Sequence, residues 1–239
     1  MTTGLTYTDY VNEIATLAVV SPTDPNFVEI LPQMITYAEN RIYRDLDLLS
    51  TVTSNSTYAT TTGGPKLVFS IADFITVQEV NVITPAGETN PDSGTRNALL
   101  PVTKEYLHYV YPDVTNAGVP NNFAMLSQNI LLLGPWPDSN YTVEIIGTYR
   151  PNSLSATNTT TFISLYLPDL FIMASMIYVS GFQRNFISAA ANDPGMPVNY
   201  ETQYQALLRG ATVEEYRKKF QSSGWTSVSP SPVATPTRG

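Results

Sequence analysis

The hydrophobic periodicity of the sequence changes twice, and this order of segments constrains the fold more than any other feature. Apolar residues recur at helical spacing from Thr6 to Leu49 and again from about Leu165 to Phe220. Between them, from Thr51 to about Pro151, short β-branched and aromatic runs are separated by clusters of Gly, Pro and Asn. This pattern is typical of strands and turns. The sequence therefore predicts an α+β fold in which an antiparallel β domain is inserted into a helical bundle.

The same order predicts four segments. They are N-terminal helices in 1–50, an inserted β domain in 51–160, C-terminal helices in 161–221 and an extended arm in 222–239. The two sets of helices are expected to pack together, because each carries an apolar stripe that must be covered. The arm has too few apolar residues to fold alone, and Trp225 is its candidate anchor.

Local signals place the individual elements. Thr6 or Thr8 is the expected N-cap of the first helix, and Pro32 is expected to mark the first turn or a kink of the second. The segment "LLPVTKEYLHYVYPD" predicts one or two helical turns within the β zone. The predicted strands lie in "STYATTT", "KLVFSI", "FITVQEVNVIT", "NILLLG" and "YTVEIIGTYR".

Composition excludes several classes of function. The chain has no cysteine, so disulfides, thiolate nucleophiles and cysteine-ligated zinc are excluded. A formal charge of -8 argues against a surface that grips nucleic acid by neutralising phosphates. The apolar run Leu170–Phe182 is too short to cross a bilayer, which takes about 20 apolar residues. The N-terminus lacks the pattern of a secretory signal, so no cleavage is expected there.

Candidate catalytic residues are few. The single histidine, His108, cannot form a two-histidine metal site, and no nucleophile motif accompanies it. Asp138 and Glu144 are the acid pair that a glycoside-active enzyme would use, and Trp136 and Tyr141 are the aromatic residues that a carbohydrate-binding module would present. The favoured interpretation is structural, with Asp138 in a turn and Glu144 facing solvent from a strand. We therefore expect no catalytic residues, no metal and no cofactor.

The helix "LPQMITYAENRIYRDLDLL" has a clear division of faces. Its core stripe is predicted to contain Leu31, Met34, Ile35, Ala38, Ile42, Leu46 and Leu49. Arg41 and Asp45 lie at the margin of this stripe, beside Tyr37 and Leu48. An intrahelical ion pair would account for two charged residues at this position. A contact with a second subunit would also account for them, because aromatic residues and Arg are enriched at interfaces. Spacing leaves both interpretations open.

A larger set of segments resembles a known family. The order "ILPQMITYAENRIYRDLDLL", "LLPVTKEYLHYVYPD", "VPNNFAM", "ILLLGPWPDSNYTVEIIGTYRP" and "YLPDLFIMASMIYVSGFQRN" is similar to head-to-tail adaptor, or connector, proteins of tailed phages, short-tailed phages in particular. The resemblance covers about residues 5 to 220. It implies a virion protein without enzymatic activity, which is made in the host cytoplasm. The acidic charge is compatible with a channel along which DNA slides.

The resemblance also implies partners. Such proteins form a homo-oligomeric ring of about twelve copies beneath the portal protein, continue the DNA channel without binding DNA specifically, and give tail or nozzle proteins a docking platform. No membrane is involved. The residues expected at subunit contacts are Tyr37, Arg41, Arg44, Asp45, Asp47 and Leu48. The arm is expected to bind the portal through Trp225, Val228 and Val233. The alternative is a carbohydrate-binding or adhesin β module.

Overall fold

The computed structural model describes the backbone of residues 4–186 and 196–220, and the side chains of 4–181 and 199–220. The chain divides into two compact units. The first combines Met1–Leu49 with Asn152–Gly239, and the second is Ser50–Pro151. Helices dominate the first unit and strands the second, so the predicted α+β class is confirmed.

The described residues contain six α-helices. They are α1 (Tyr7–Leu17), α2 (Pro25–Asp45), α3 (Lys104–Val110), α4 (Phe162–Tyr166), α5 (Pro168–Phe186) and α6 (Met196–Lys219). Thr6 is the N-cap of α1, where its hydroxyl oxygen accepts a hydrogen bond from the Asp9 amide and the Asp9 carboxylate accepts one from the Thr6 amide. Helix α3 confirms the short helix predicted within the β zone.

Helix α2 begins earlier than the sequence pattern predicts. Asp24 caps it by accepting hydrogen bonds from the amides of Asn26 and Phe27, and Pro25 occupies the first turn. Proline is favoured there because its fixed φ suits a helix and its missing amide proton has no helical partner. Pro32 therefore lies inside α2, and the prediction that it marks the first turn is wrong.

The core of the first unit is formed by α1, α2, α5 and α6. Tyr10 stacks on Phe171 with ring centroids 4.6 Å apart, and its hydroxyl donates to Ser175 Oγ at 2.7 Å. The predicted stripe of α2 is buried from Leu31 to Leu46, but Leu49 is exposed because α2 ends at Asp45 and the helical phase does not continue. No helix within the described ranges is long and apolar enough to cross a membrane.

The second unit contains two four-stranded sheets. The strands are β1 (Val52–Ala59), β2 (Lys66–Val68), β3 (Thr76–Thr84), β4 (Thr95–Ala98), β5 (Leu100–Pro101), β6 (Asn122–Ser127), β7 (Ile130–Gly134) and β8 (Thr142–Thr148). One sheet has the order β1-β8-β3-β4 and is antiparallel throughout. The other has the order β2-β7-β6-β5, in which β5 runs parallel to β6. The second sheet is therefore mixed rather than purely antiparallel as predicted.

The two sheets share one hydrophobic core. Alternate residues of β3, β7 and β8 point into it, as the two-residue period of a strand requires. Its buried members are Leu67, Phe69, Phe74, Val80, Val82, Leu99, Phe123, Leu131, Leu133, Tyr141, Val143 and Ile145. Helix α3 covers the other face of the second sheet, where Leu107 packs with Ala124 and Leu132.

Candidate functional site

A cluster of charged and aromatic side chains joins α2 to α6 at Arg41. Its guanidinium Nη2 lies 2.6 Å from Glu201 Oε1, and its Nε lies 3.6 Å from Asp45 Oδ2. The Arg41 Cζ also lies 4.3 Å from the centre of the Tyr204 ring, which is a cation–π contact. Arg41 therefore binds one acidic residue of its own helix, and one acidic and one aromatic residue of α6.

Tyr204 completes this cluster from the core side. It is fully buried, and its hydroxyl donates a hydrogen bond to Asp45 Oδ2 at 2.7 Å. Burial raises the pKa of the Tyr204 hydroxyl, and the hydrogen bond to Asp45 raises it further. The hydrogen bond from Arg41 lowers the pKa of Glu201, so this carboxylate stays charged to lower pH than a free glutamate does. The cluster holds two helices together with fixed charges.

A second group of charges ties the end of α6 to the segment after α2. The buried Glu215 accepts a hydrogen bond from the Leu49 amide at 3.1 Å, and Lys218 Nζ lies 2.7 Å from Glu215 Oε1. Lys219 forms an ion pair with Asp47. A cleft of about 290 Å³ lies beside these residues, with Tyr216 and Phe220 in its lining.

The structure separates the six predicted interface residues into two groups. Arg41, Asp45 and Asp47 bind partners within the same chain, and Leu48 is only 1% exposed. The expectation that Leu48 is exposed is wrong, because the chain leaves α2 in an extended conformation at Leu46 and turns Leu48 into the core. Tyr37 and Arg44 are exposed, as are Asp45 and Asp47. The role of these residues in subunit contacts stays a prediction.

Tyr37 is the most prominent exposed aromatic residue of α2. Its ring packs at 5.6 Å from the ring of Tyr178 on α5, and its hydroxyl accepts a hydrogen bond from Gln33 at 2.5 Å. These contacts fix the ring while leaving 45% of the residue exposed. A fixed, half-exposed aromatic side chain loses little conformational entropy when a partner covers it.

Glu39 is a buried acid that the sequence pattern does not single out. It is 1% exposed and its Oε1 accepts a hydrogen bond from the Leu154 amide at 3.2 Å. The Thr161 hydroxyl donates to the same oxygen at 3.4 Å, whereas Oε2 has no hydrogen-bond partner. Burial raises the pKa of Glu39 despite these hydrogen bonds. Glu39 thus holds the chain that leads into α4 against the middle of α2.

Glu144 does not face solvent, which corrects the expectation from strand alternation. It is buried on β8 and accepts hydrogen bonds from Arg96, Asn81 and Ser54. Burial raises the pKa of Glu144, but these hydrogen bonds outweigh burial and leave the pKa below its ordinary value. A carboxylate held ionised in this way is unsuited to act as a general acid.

The aromatic residues proposed for carbohydrate binding do not form a platform. Tyr141 is 6% exposed and donates a hydrogen bond to Asp138 Oδ1 at 2.7 Å. Trp136 is half-buried, and its indole N–H donates to the Tyr111 carbonyl at 3.1 Å. Sugar stacking needs an exposed ring face, which Tyr141 lacks. The geometry therefore gives no support to the carbohydrate-binding alternative.

The remaining expectations concern His108, metal binding and the C-terminal arm. His108 is exposed on α3. Within residues 4–186 and 196–220, no group of three His, Asp or Glu side chains is arranged to hold a metal ion. The arm residues Trp225, Val228 and Val233 lie outside the described residues.

The charged residues of α2 and α6 therefore join helices of one unit. Comparison with known proteins identifies the family. A family model described as SU10 adaptor protein matches residues 5–231. The chain belongs to this family, so the resemblance to phage adaptor proteins is confirmed. No curated protein matches the sequence.

Proposed function

We propose that this phage adaptor protein forms a ring of about twelve copies between the portal and the tail. In this position the ring continues the DNA channel and gives tail or nozzle proteins their docking platform. The protein acts as a part of the virion and not as an enzyme. The observation that carries the proposal is the match to an adaptor family over residues 5–231.

The charge of the chain supports a channel role. The formal net charge is -8, and a surface of like charge repels the phosphates of DNA. DNA would therefore pass through such a ring without being held, whereas a basic lining would bind it by releasing counterions.

Subunit contacts are proposed at the exposed side of α2. Tyr37, Arg44, Asp45 and Asp47 are the exposed members of the predicted interface set. Arg41 and Asp45 contribute indirectly, because their bonds to Glu201 and Tyr204 fix α2 against α6. Portal binding is proposed for residues 222–239, with Trp225 as the main apolar anchor.

Binding to portal rings provides the direct test. Full-length protein is mixed with purified portal rings of the same phage, and the complexes are imaged by electron microscopy. We expect a second ring stacked on the portal, with the copy number given by its rotational symmetry. Portal rings that remain bare at saturating protein concentration would contradict the proposal.

The role of the arm is tested with two variants. A chain that ends at residue 221 is expected to lose portal binding, and Trp225→Ala is expected to weaken it by at least about tenfold, since buried Trp residues are common hot spots. Trp136→Ala is the matched control, because it removes the other tryptophan of the chain. Unchanged binding by the shortened chain would remove the arm from the interface.

A further inference from the structure

An exposed aromatic patch lies on α6 near its C-terminal end. It consists of Val213, Tyr216, Arg217 and Phe220, which are spaced three or four residues apart and therefore lie side by side on the helix surface. Tyr216 is 60% exposed and Phe220 is 59% exposed. Their rings stack with centroids 6.2 Å apart. An exposed patch of this kind marks a protein contact more often than isolated apolar residues do.

The aromatic patch carries positive charge. The neighbouring Lys218 is paired with Glu214 and Glu215, and Lys219 is paired with Asp47. No carboxylate of the described residues lies within ion-pair distance of Arg217. The patch thus combines two rings with one cation, and aromatic residues and Arg are the types most enriched at interfaces.

A groove whose surface is complementary to the aromatic patch lies between α1, α5 and α6. Its volume is about 500 Å³, and Leu17, Ile172, Met173 and Leu207 contribute apolar surface to it. Glu13 of α1 and Asp169 of α5 supply exposed carboxylates at the same groove. This acidic groove therefore offers apolar contact for aromatic rings and negative charge for a cation.

The aromatic patch cannot fill the acidic groove of its own chain. Leu207 and Tyr216 are nine residues apart on α6, so at about 100° per residue they point to opposite sides of the helix. They are also separated by roughly 13 Å along the helix axis. Each copy consequently presents the two complementary surfaces in different directions.

We propose that the aromatic patch of one copy docks in the acidic groove of the next copy. The inference rests on the proposed ring and adds a second contact between copies to the one proposed at α2. A contact between two different surfaces is head-to-tail, and repeated head-to-tail contacts close into a ring when the rotation between copies permits. Arg217 lies against Glu13 and Asp169 in this contact, and the rings of Tyr216 and Phe220 cover the apolar residues of the groove.

Photo-crosslinking identifies the surface that covers the patch. Tyr216 is replaced by p-benzoylphenylalanine in the full chain, and copies labelled with ¹⁵N are mixed with unlabelled copies before assembly on portal rings. We expect crosslinked peptides that join position 216 of one isotopic form to residues of the acidic groove in the other form. Crosslinks to the portal, to a tail protein or to residues 221–239 of the same copy would overturn the inference while leaving the proposed ring intact.

A charge exchange tests the polar part of the contact. Arg217→Glu is expected to reduce ring assembly on the portal by about tenfold, and adding Glu13→Arg to that variant is expected to restore most of it. Glu13 is chosen because Asp169 accepts a hydrogen bond from the Leu170 amide. Lys104→Glu on α3 makes the same change in net charge and is expected to leave assembly unchanged.

The outcomes separate the inference from the proposed function. Normal rings formed by Arg217→Glu would overturn the interface and retain the adaptor ring. Wild-type protein that never assembles on portal rings would overturn both. Circular dichroism of each variant confirms that a loss of assembly does not come from a loss of folding.

Discussion

Glu39 is a residue whose protonation is coupled to folding. Burial holds its pKa above the ordinary value of 4.5, so the folded chain retains this proton to higher pH than the unfolded chain does. The stability that Glu39 contributes is therefore complete below pH 4.5 and is lost as the pH rises through the folded pKa. Glu39→Gln removes this titration and keeps an oxygen to accept from Leu154.

The first prediction follows from this loss of stability with rising pH. The free energy of unfolding of Glu39→Gln, relative to wild type, is expected to increase as the pH rises from 4.5 towards 7. Urea denaturation at several pH values measures the difference. Glu201→Gln is the matched control with the opposite sign, because Arg41 lowers the pKa of Glu201 and the wild-type chain loses that contribution as the pH falls. A pH-independent difference for Glu39→Gln would contradict the prediction.

The second prediction concerns the ion pair between Arg41 and Glu201. We expect Arg41→Met and Glu201→Gln to show a coupling energy of about 0.5 to 1 kcal/mol in a double-mutant cycle, a value reduced by the partial exposure of Glu201. The coupling should persist in dilute protein, where contacts between copies are absent, and should decrease at high salt. Coupling that appears only after ring assembly would show that the pair acts between copies.

Single residues also show where sequence reasoning reaches its limit. The pattern places Arg41 at the margin of the α2 stripe, and the structure finds it there. The sequence pattern does not identify Glu201 as the partner of Arg41, because the two residues are separated by 160 positions and only the packing of α2 on α6 brings them together. The burial of Glu39 is not predictable in the same way, because a charged residue in an amphipathic helix is normally assigned to the solvated face. Its carboxylate is buried where it accepts a hydrogen bond from the distant Leu154 amide.

Helix α6 contains a glycine that its own geometry does not require. Gly210 is exposed, and an added Cβ would meet no atom within 4 Å. Alanine loses less backbone entropy on folding than glycine does, so Gly210→Ala is expected to stabilise the helical unit by about 0.5 to 1 kcal/mol. Thermal or urea unfolding measures the gain. A loss of stability in this variant would contradict the prediction.

Elements with strong local signals are predictable from this sequence, and weak ones are not. Helix α1 has its capping threonine, and β3, β7 and β8 are rich in β-branched or leucine residues. By contrast β4, with the sequence "TRNA", and β5, with only Leu100 and Pro101, have no such signal and form because β3 and β6 lie beside them. Strand β6 is likewise not predicted, since "NFAMLS" mixes strand-forming and neutral residues.

At the scale of the whole molecule, each of the two units has a hydrophobic core of its own. Gly147 lies in the second unit, where an added Cβ would lie 2.1 Å from the Thr76 carbonyl oxygen and 2.9 Å from Phe74. The Thr76 backbone belongs to a paired strand and cannot move without breaking the ladder with β8. Alanine at this position therefore strains the β unit specifically.

The last prediction uses this strain to ask whether the two units unfold separately. Gly147→Ala is expected to lower the stability of the β unit by about 3 kcal/mol, which is at the upper end of overpacking costs. Native-state hydrogen exchange of the full chain measures both units in one experiment. Amides of β3 and β8 should lose protection by about a hundredfold, since about 1.4 kcal/mol corresponds to each factor of ten, while amides of α2 and α5 keep theirs. Gly210→Ala provides the reciprocal control in the helical unit, and an equal loss of protection in both units would show that they unfold as one.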